Sequence, residues 1–261
     1  MPAETHPPVL PAHGNAGGWS HDLRLAIGFH TRFPVGAVPT DNLARAGWAF
    51  PLAGFLVGAL AAVVYALAVR LGLTALLAGA LAAACTILAT GALHEDGLAD
   101  LADGLGVRGG PTAKLAAMRA SGIGSYGTLA LILSVGLRVV ALAALTDPAT
   151  VAPALIGTHA GARALLPWAM RREPWARAEG LAVAAGRPGG TTAAVALLIG
   201  LAILVAAVGP ARGAVAALAA LVALAILPLA CRQLGGITGD VLGAVEQVAE
   251  IAILLALVAS R

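Results

Sequence analysis

Three aspartates at a helical spacing open the chemical reading of this chain. In His94-Glu95-Asp96-Gly97-Leu98-Ala99-Asp100-Leu101-Ala102-Asp103-Gly104, Asp96, Asp100 and Asp103 fall at i, i+4 and i+7, so on an α-helix they share one face. Three carboxylates on one stripe repel one another, and a bound cation relieves that repulsion. All-oxygen donors select Mg²⁺, Mn²⁺ or Ca²⁺ over zinc. Gly97 and Gly104 are poor residues for a helix that merely faces water, and they point to close backbone approach by a ligand. His94 adjoins the stripe as a candidate acid or base, or as a partner that orients the carboxylates.

A second constellation lies near the C-terminus. In Gly235-Gly236-Ile237-Thr238-Gly239-Asp240, glycines and Thr238 lead into an apolar helix and offer backbone N–H groups to an anion, with Asp240 beside them. Glu246 and Glu250 then sit one turn apart in an otherwise uncharged run, where an ionisable side chain marks either function or a buried partner. Arg138 and Arg163 are the available partners. Two readings stay open for them, a structural ion pair and a phosphate clamp, since the planar guanidinium of Arg163, one turn after His159, suits a phosphate. The turn Ser121-Gly122-Ile123-Gly124-Ser125-Tyr126-Gly127 reads either as a phosphate nest or as a plain lead-in to a helix. Together these residues describe a divalent-metal, anion-binding site, for which phosphate esters are the natural substrates.

The elements that must position this site are membrane helices. The chain has 261 residues, 59% hydrophobic and 11% charged, where a soluble domain is about one quarter charged. Its apolar residues are mostly Ala, Leu, Val and Gly, the vocabulary of closely packed membrane helices. Apolar runs long enough to cross about 30 Å of hydrocarbon occur near 48–69, 73–93, 123–145, 151–170, 191–209, 213–231 and 241–259, predicting an all-α polytopic bundle of about seven spans, with six or eight also compatible. The acidic stripe would then continue the second span beyond the membrane. Cys85 and Cys231 lie in apolar runs and read as small buried hydrophobes.

Residues 1–21 are rich in Pro, Gly and His and read as a disordered cytosolic tail, and 22–261 as a single membrane-embedded domain. With the N-terminus inside, cytoplasmic segments carry Arg24, Arg32, Arg45, Arg108, Lys114, Arg119, Arg171, Arg172, Arg177, Arg187 and Arg232, against Arg70, Arg212 and the terminal Arg261 outside. The basic residues are scattered rather than gathered in a stripe, which argues against a nucleic-acid partner.

The segments taken together resemble adenosylcobinamide-GDP ribazoletransferase, the cobalamin synthase family of bacterial vitamin B12 assembly. The resemblance is carried by Thr31-Arg32-Phe33-Pro34-Val35, Phe50-Pro51-Leu52 with Gly54 and Gly58, and Thr90-Gly91-Ala92-Leu93-His94-Glu95-Asp96-Gly97-Leu98-Ala99-Asp100 through Asp103-Gly104. It continues in Met118-Arg119 with Ser121, Gly124 and Gly127, in Glu179-Gly180-Leu181, and in Gly235-Gly236 through Thr238-Gly239-Asp240, Leu242-Gly243-Ala244, Glu246 and Glu250. Ala120 and Gly122 stand where the family usually has Asp and Arg, so any role of those two side chains is not carried over.

The resemblance implies a Mg²⁺-dependent phosphotransferase for substituted phosphate groups. It would transfer the cobinamide phosphate of adenosylcobinamide-GDP to α-ribazole or its 5′-phosphate, releasing GMP, in the bacterial inner membrane with the site facing the cytoplasm. Under it, Asp96, Asp100, Asp103 and Asp240 would hold Mg²⁺, with the same aspartates and His94 catalytic. Arg163, Arg138, Ser121, Gly124, Gly127, Thr238, Gly239, Glu246 and Glu250 would bind substrate. Whether the chain forms a homo-oligomer is left open. The rival class is an ion-coupled transporter built on the intramembrane Glu and Arg residues.

Overall fold

The computed structural model describes residues 18–36 and 43–260. Residues 1–17 of the expected tail, and Arg261, lie outside the described residues; Trp19 to His21, drawn as tail, instead open the first helix. The helices are α1 (Trp19–His30), α2 (Leu43–Ala46), α3 (Phe50–Arg70), α4 (Ala75–Thr90), α5 (Leu93–Gly106), α6 (Pro111–Ala117) and α7 (Ser125–Leu145). They continue as α8 (Pro148–Ala164), α9 (Leu166–Arg172), α10 (Leu181–Ala185), α11 (Gly190–Val208), α12 (Pro210–Ala220), α13 (Ile226–Leu234) and α14 (Gly239–Ala259). No strand occurs among the described residues beyond one isolated bridge, so the all-α expectation holds.

Among the described residues, five stretches are long and apolar enough to cross a bilayer: Leu43–Arg70, Ser125–Leu145, Gly190–Val208, Pro210–Leu234 and Gly239–Ala259. The predicted span at 73–93 becomes α4, which meets α5 at a 91° bend; the pair makes a sixth crossing only if both limbs count as one. The predicted span at 151–170 falls on α8, 17 residues long, and on α9 beyond it. Exposed apolar side chains such as Leu76, Leu88, Leu133, Leu198 and Leu218 clothe the outside of the bundle, as a lipid-facing surface requires.

Small residues set the helix spacing. A Cβ on Gly58 would lie 2.6 Å from the Leu155 carbonyl oxygen and 2.8 Å from the Ile156 Cα, so α3 and α8 touch backbone to backbone. Helix α14 is buried along most of its length, from Val241 through Leu257, and packs against α5, α7, α8 and α12. At its start the cap residue Thr238 accepts a hydrogen bond from the Val241 N–H (3.3 Å). Helix α1 is tied to the start of the first span by Asp22, which accepts from Arg45 at 2.7 Å and from the Trp48 indole N–H at 3.1 Å.

Candidate active site

The acidic stripe is on a helix of its own, not a continuation of the second span. Gly91 (φ 66°) and Ala92 (φ 58°) both adopt left-handed backbone; their N–H groups close onto α4 carbonyls, and the chain leaves at the 91° bend. A left-handed Ala costs about 1–2 kcal/mol, so the bend is imposed by its surroundings. On α5 the predicted spacing survives. Asp96 is exposed, and Asp100 and Asp103 are half-buried.

Glycines bring α5 against α14. A Cβ on Gly97 would fall 2.9 Å from the Asp240 Cα and 3.2 Å from the Gly243 Cα; one on Gly243 would fall 3.0 Å from the His94 carbonyl oxygen. The close approach read from Gly97 is therefore made by α14, not by a ligand. The Gly104 Cβ position is likewise taken by the Met118 side chain. This contact brings Asp240, in the first turn of α14, beside the stripe. Burial, then Asp240, Asp96 and Asp103, push the Asp100 carboxyl up to about 6, with Arg177 opposing.

A cavity of about 200 Å³ opens at the α5–α14 junction. His94, Asp96, Thr238, Gly239 and Asp240 line it, as the sequence expected of a site. Its far wall comes from α1, α2, α3, α9 and the 173–185 segment, none of which the sequence reading had assigned to the site. Arg177 lies in this wall, with Nη1 3.5 Å from Asp240 Oδ2. The segment is pinned to the Gly235-Gly236-Ile237 turn: Ala176 N–H donates to Ile237 O at 2.9 Å and Ile237 N–H to Pro174 O at 2.8 Å. Only glycine fits at 236, since a Cβ there would meet the Pro174 carbonyl oxygen at 2.5 Å and the Ala176 nitrogen at 2.7 Å. A polar loop following Arg171-Arg172, with Trp175, Arg177 and Glu179 in alternation, was the visible signal for it.

Three groups of predicted substrate residues are employed otherwise. The Gly124 and Gly127 N–H groups both donate to Asp103, at 2.7 and 2.8 Å, so the nest is filled by this chain's own carboxylate; Ser121 is exposed and lies outside the cavity. Arg163 and Arg138 are not at the cavity but buried with the carboxylates of the core. Arg163 Nη1 is 2.6 Å from Glu246 and 3.1 Å from Glu250; Arg138 bonds Glu250 at 3.1 Å and Glu95 at 2.9 Å. Glu246 and Glu250 are 0% and 1% exposed and touch Arg163, Arg138, His94 and His159. These contacts are those of the ion-pair reading, in which a charge buried at membrane depth is held beside its opposite. His94 joins the two regions: it lines the cavity, and its Nδ1 is 3.4 Å from Glu246.

The aspartates offer a divalent cation hard oxygen donors and a shortage of positive charge. Among the described residues only His159, Glu246 and Glu250 bring three ligand atoms within 4.8 Å of one another, and the two arginines already serve that trio. Asp96, Asp100, Asp103 and Asp240 form no such closed cage. As an open set of hard oxygen donors they would fit a divalent cation that takes only one or two carboxylates from the protein.

Fold and site define a multi-pass membrane protein with a carboxylate-edged cavity where two helix ends meet. The cobalamin-5-phosphate synthase family model matches residues 22–258, and the chain belongs to that family. Similar proteins include adenosylcobinamide-GDP ribazoletransferases of Bradyrhizobium diazoefficiens (51% identical over 240 residues, 90% of this chain and 92% of the relative) and Mesorhizobium japonicum (44%, covering 90% and 91%). That of Allorhizobium ampelinum is 40% identical, covering 88% and 93%. No solved structure matches the chain.

Proposed function

We propose that this chain performs the final nucleotide-loop assembly step of adenosylcobalamin biosynthesis, transferring the cobinamide phosphate of adenosylcobinamide-GDP to α-ribazole or its 5′-phosphate. The observation that carries the reading is the meeting of Asp96, Asp240, His94 and Thr238 around one cavity, with Asp100 alongside, in a chain of the cobalamin-5-phosphate synthase family. The acceptor hydroxyl oxygen forms a bond to the cobinamide-bearing phosphorus; the diphosphate bridge breaks and GMP departs. The hydroxyl proton goes to a group on the cavity wall, for which His94, Asp96 and Asp240 are in place.

Asp96, Asp100 and Asp240, with Asp103 behind them, are the residues that would hold Mg²⁺. Held by these carboxylates, a divalent cation would supply Lewis-acid chemistry that offsets the charge building on the leaving phosphate. Asp103 takes one backbone N–H on each oxygen, which fixes its orientation while leaving lone pairs free. Arg177 supplies positive charge at the cavity edge beside Asp240. The buried Arg138, Arg163, Glu95, Glu246 and Glu250 hold α5, α7, α8 and α14 in register beneath the site.

The protein resides in the bacterial inner membrane with the cavity on the cytoplasmic side, where Arg171, Arg172, Arg177 and Arg187 flank it. Purified protein in liposomes, given adenosylcobinamide-GDP, α-ribazole and Mg²⁺, should release one GMP for each adenosylcobalamin formed. No corrinoid product, with solute flux across sealed vesicles instead, would establish the transporter reading, which the relatives do not support.

A further inference from the structure

A second cavity, of about 410 Å³, is lined by Arg171, Arg172 and Arg187 together with Pro188. It adjoins the first through one stacked pair: the Arg187 guanidinium lies 5.2 Å from the ring centroid of Trp175, and Trp175 lines the site cavity. Three guanidiniums meet here with no negative group beside them. Arg45, Arg138, Arg163 and Arg177 each pair with a carboxylate, whereas among the described residues none of Arg171, Arg172 and Arg187 does.

Aromatic and backbone groups hold these arginines instead. Arg172 lies 5.1 Å from the Trp168 ring centroid, and Arg187 Nη1 donates to the Arg171 carbonyl oxygen at 3.2 Å. Stacking over a ring orders a guanidinium without using up its N–H donors. The local field is positive as well. Arg171 packs against the first residue of α11, its Cζ 3.5 Å from where a Cβ on Gly190 would stand. The cap of that helix, Gly189, has no side chain to accept from the first-turn N–H groups. A helix N-terminus carries partial positive charge, so a cation beside it is misplaced unless an anion joins them. Phosphate suits the place, since its oxygens take paired donors from a planar guanidinium. Helix α11 is long and apolar enough to be a span, which puts its first turn at a membrane surface, within reach of lipid headgroups.

We propose that Arg171, Arg172 and Arg187, with the start of α11, form a second, non-catalytic site that takes a phosphate group. An anionic phospholipid headgroup and a soluble phosphate share that chemistry, and the seat at the start of a span favours the lipid. The site is independent of the transfer reaction.

The test is thermal melting of the full chain in uncharged detergent, without Mg²⁺ and at constant ionic strength. Phosphatidylglycerol and inorganic phosphate are titrated separately into wild type, Arg171→Gln and Arg187→Gln. Phosphatidylglycerol should raise the wild-type melting temperature saturably, and each substitution should weaken the response by about fivefold in concentration. Independently of any variant, phosphatidylglycerol should slow phenylglyoxal labelling of Arg171, Arg172 and Arg187 in wild type, read by peptide mass spectrometry, while the exposed Arg119 labels at an unchanged rate. Protection by inorganic phosphate in place of the lipid upholds the site and assigns it to a soluble ester. The proposal is overturned if neither anion protects the three arginines, or if folded variants respond as wild type does.

Discussion

Replacing Arg163 by Met separates a buried ion network from a phosphate clamp. Arg163 is 1% exposed, and its Nη1 lies 2.6 Å from Glu246 and 3.1 Å from Glu250. Without it, Glu246 keeps only His94 and Gln247 as side-chain partners, while Glu95 and Glu250 share the guanidinium of Arg138. Removing one partner of a buried pair destabilises by about 3–5 kcal/mol. At about 2–4 °C per kcal/mol for a chain of this size, the melting temperature in detergent should fall by about 6–20 °C. Met keeps most of the volume, so little of the effect arises from a cavity. The double variant Arg163→Met with Glu246→Gln removes one charge of each sign and should regain much of the loss, a non-additivity that a double-mutant cycle measures directly. An Arg163→Met protein that melts normally but has a raised KM for adenosylcobinamide-GDP would refute the reasoning and restore Arg163 as a phosphate ligand.

Three further outcomes follow from the geometry. Gly243→Ala places a methyl 3.0 Å from the His94 carbonyl oxygen and 3.2 Å from the Gly97 Cα; it should cost about 1–3 kcal/mol in a melting assay and lower turnover by parting Asp96 from Asp240. Asp100, with its folded pKa pushed from 3.8 to about 6, holds its proton more tightly in the fold than in the unfolded chain. The metal-free fold therefore loses this contribution as pH rises through about 6, and Mg²⁺ must displace the proton below that pH. Its affinity should fall by about tenfold per pH unit below 6 and level off above, as read by Mg²⁺-induced melting shifts. Asp103→Ala strands the Gly124 and Gly127 N–H groups, a loss of about 1–3 kcal/mol each where they are shielded from water; hydrogen exchange at those two amides should accelerate while exchange in α14 stays unchanged.

The helices and the residues that matter most were legible because both depend on local spacing. The stripe of Asp96, Asp100 and Asp103 needs only the helical period, and Thr238 leading into α14 needs only cap chemistry. What was not legible depends on contacts across the chain. The bend at Gly91 and Ala92 is hidden inside an apolar run, because nothing local favours a left-handed alanine. The Gly124 and Gly127 amides look free until Asp103, more than twenty positions away, fills them. Arg163 suits phosphate or carboxylate by type alone; its carboxylate partners on α14, Glu246 and Glu250, are visible only in the fold. Part of the cavity wall draws on Leu43, Phe50, Leu166 and Met170, whose types mark them only as core.

The most direct test of the central claim is the Mg²⁺ dependence of GMP release by wild type and by Asp96→Asn, Asp100→Asn and Asp240→Asn in liposomes. Wild type should show saturable dependence on Mg²⁺, abolished by chelation. Each variant, shown folded by its melting curve, should turn over at least about a hundredfold more slowly. A folded Asp100→Asn protein with near-normal turnover and an unchanged Mg²⁺ response would contradict the account.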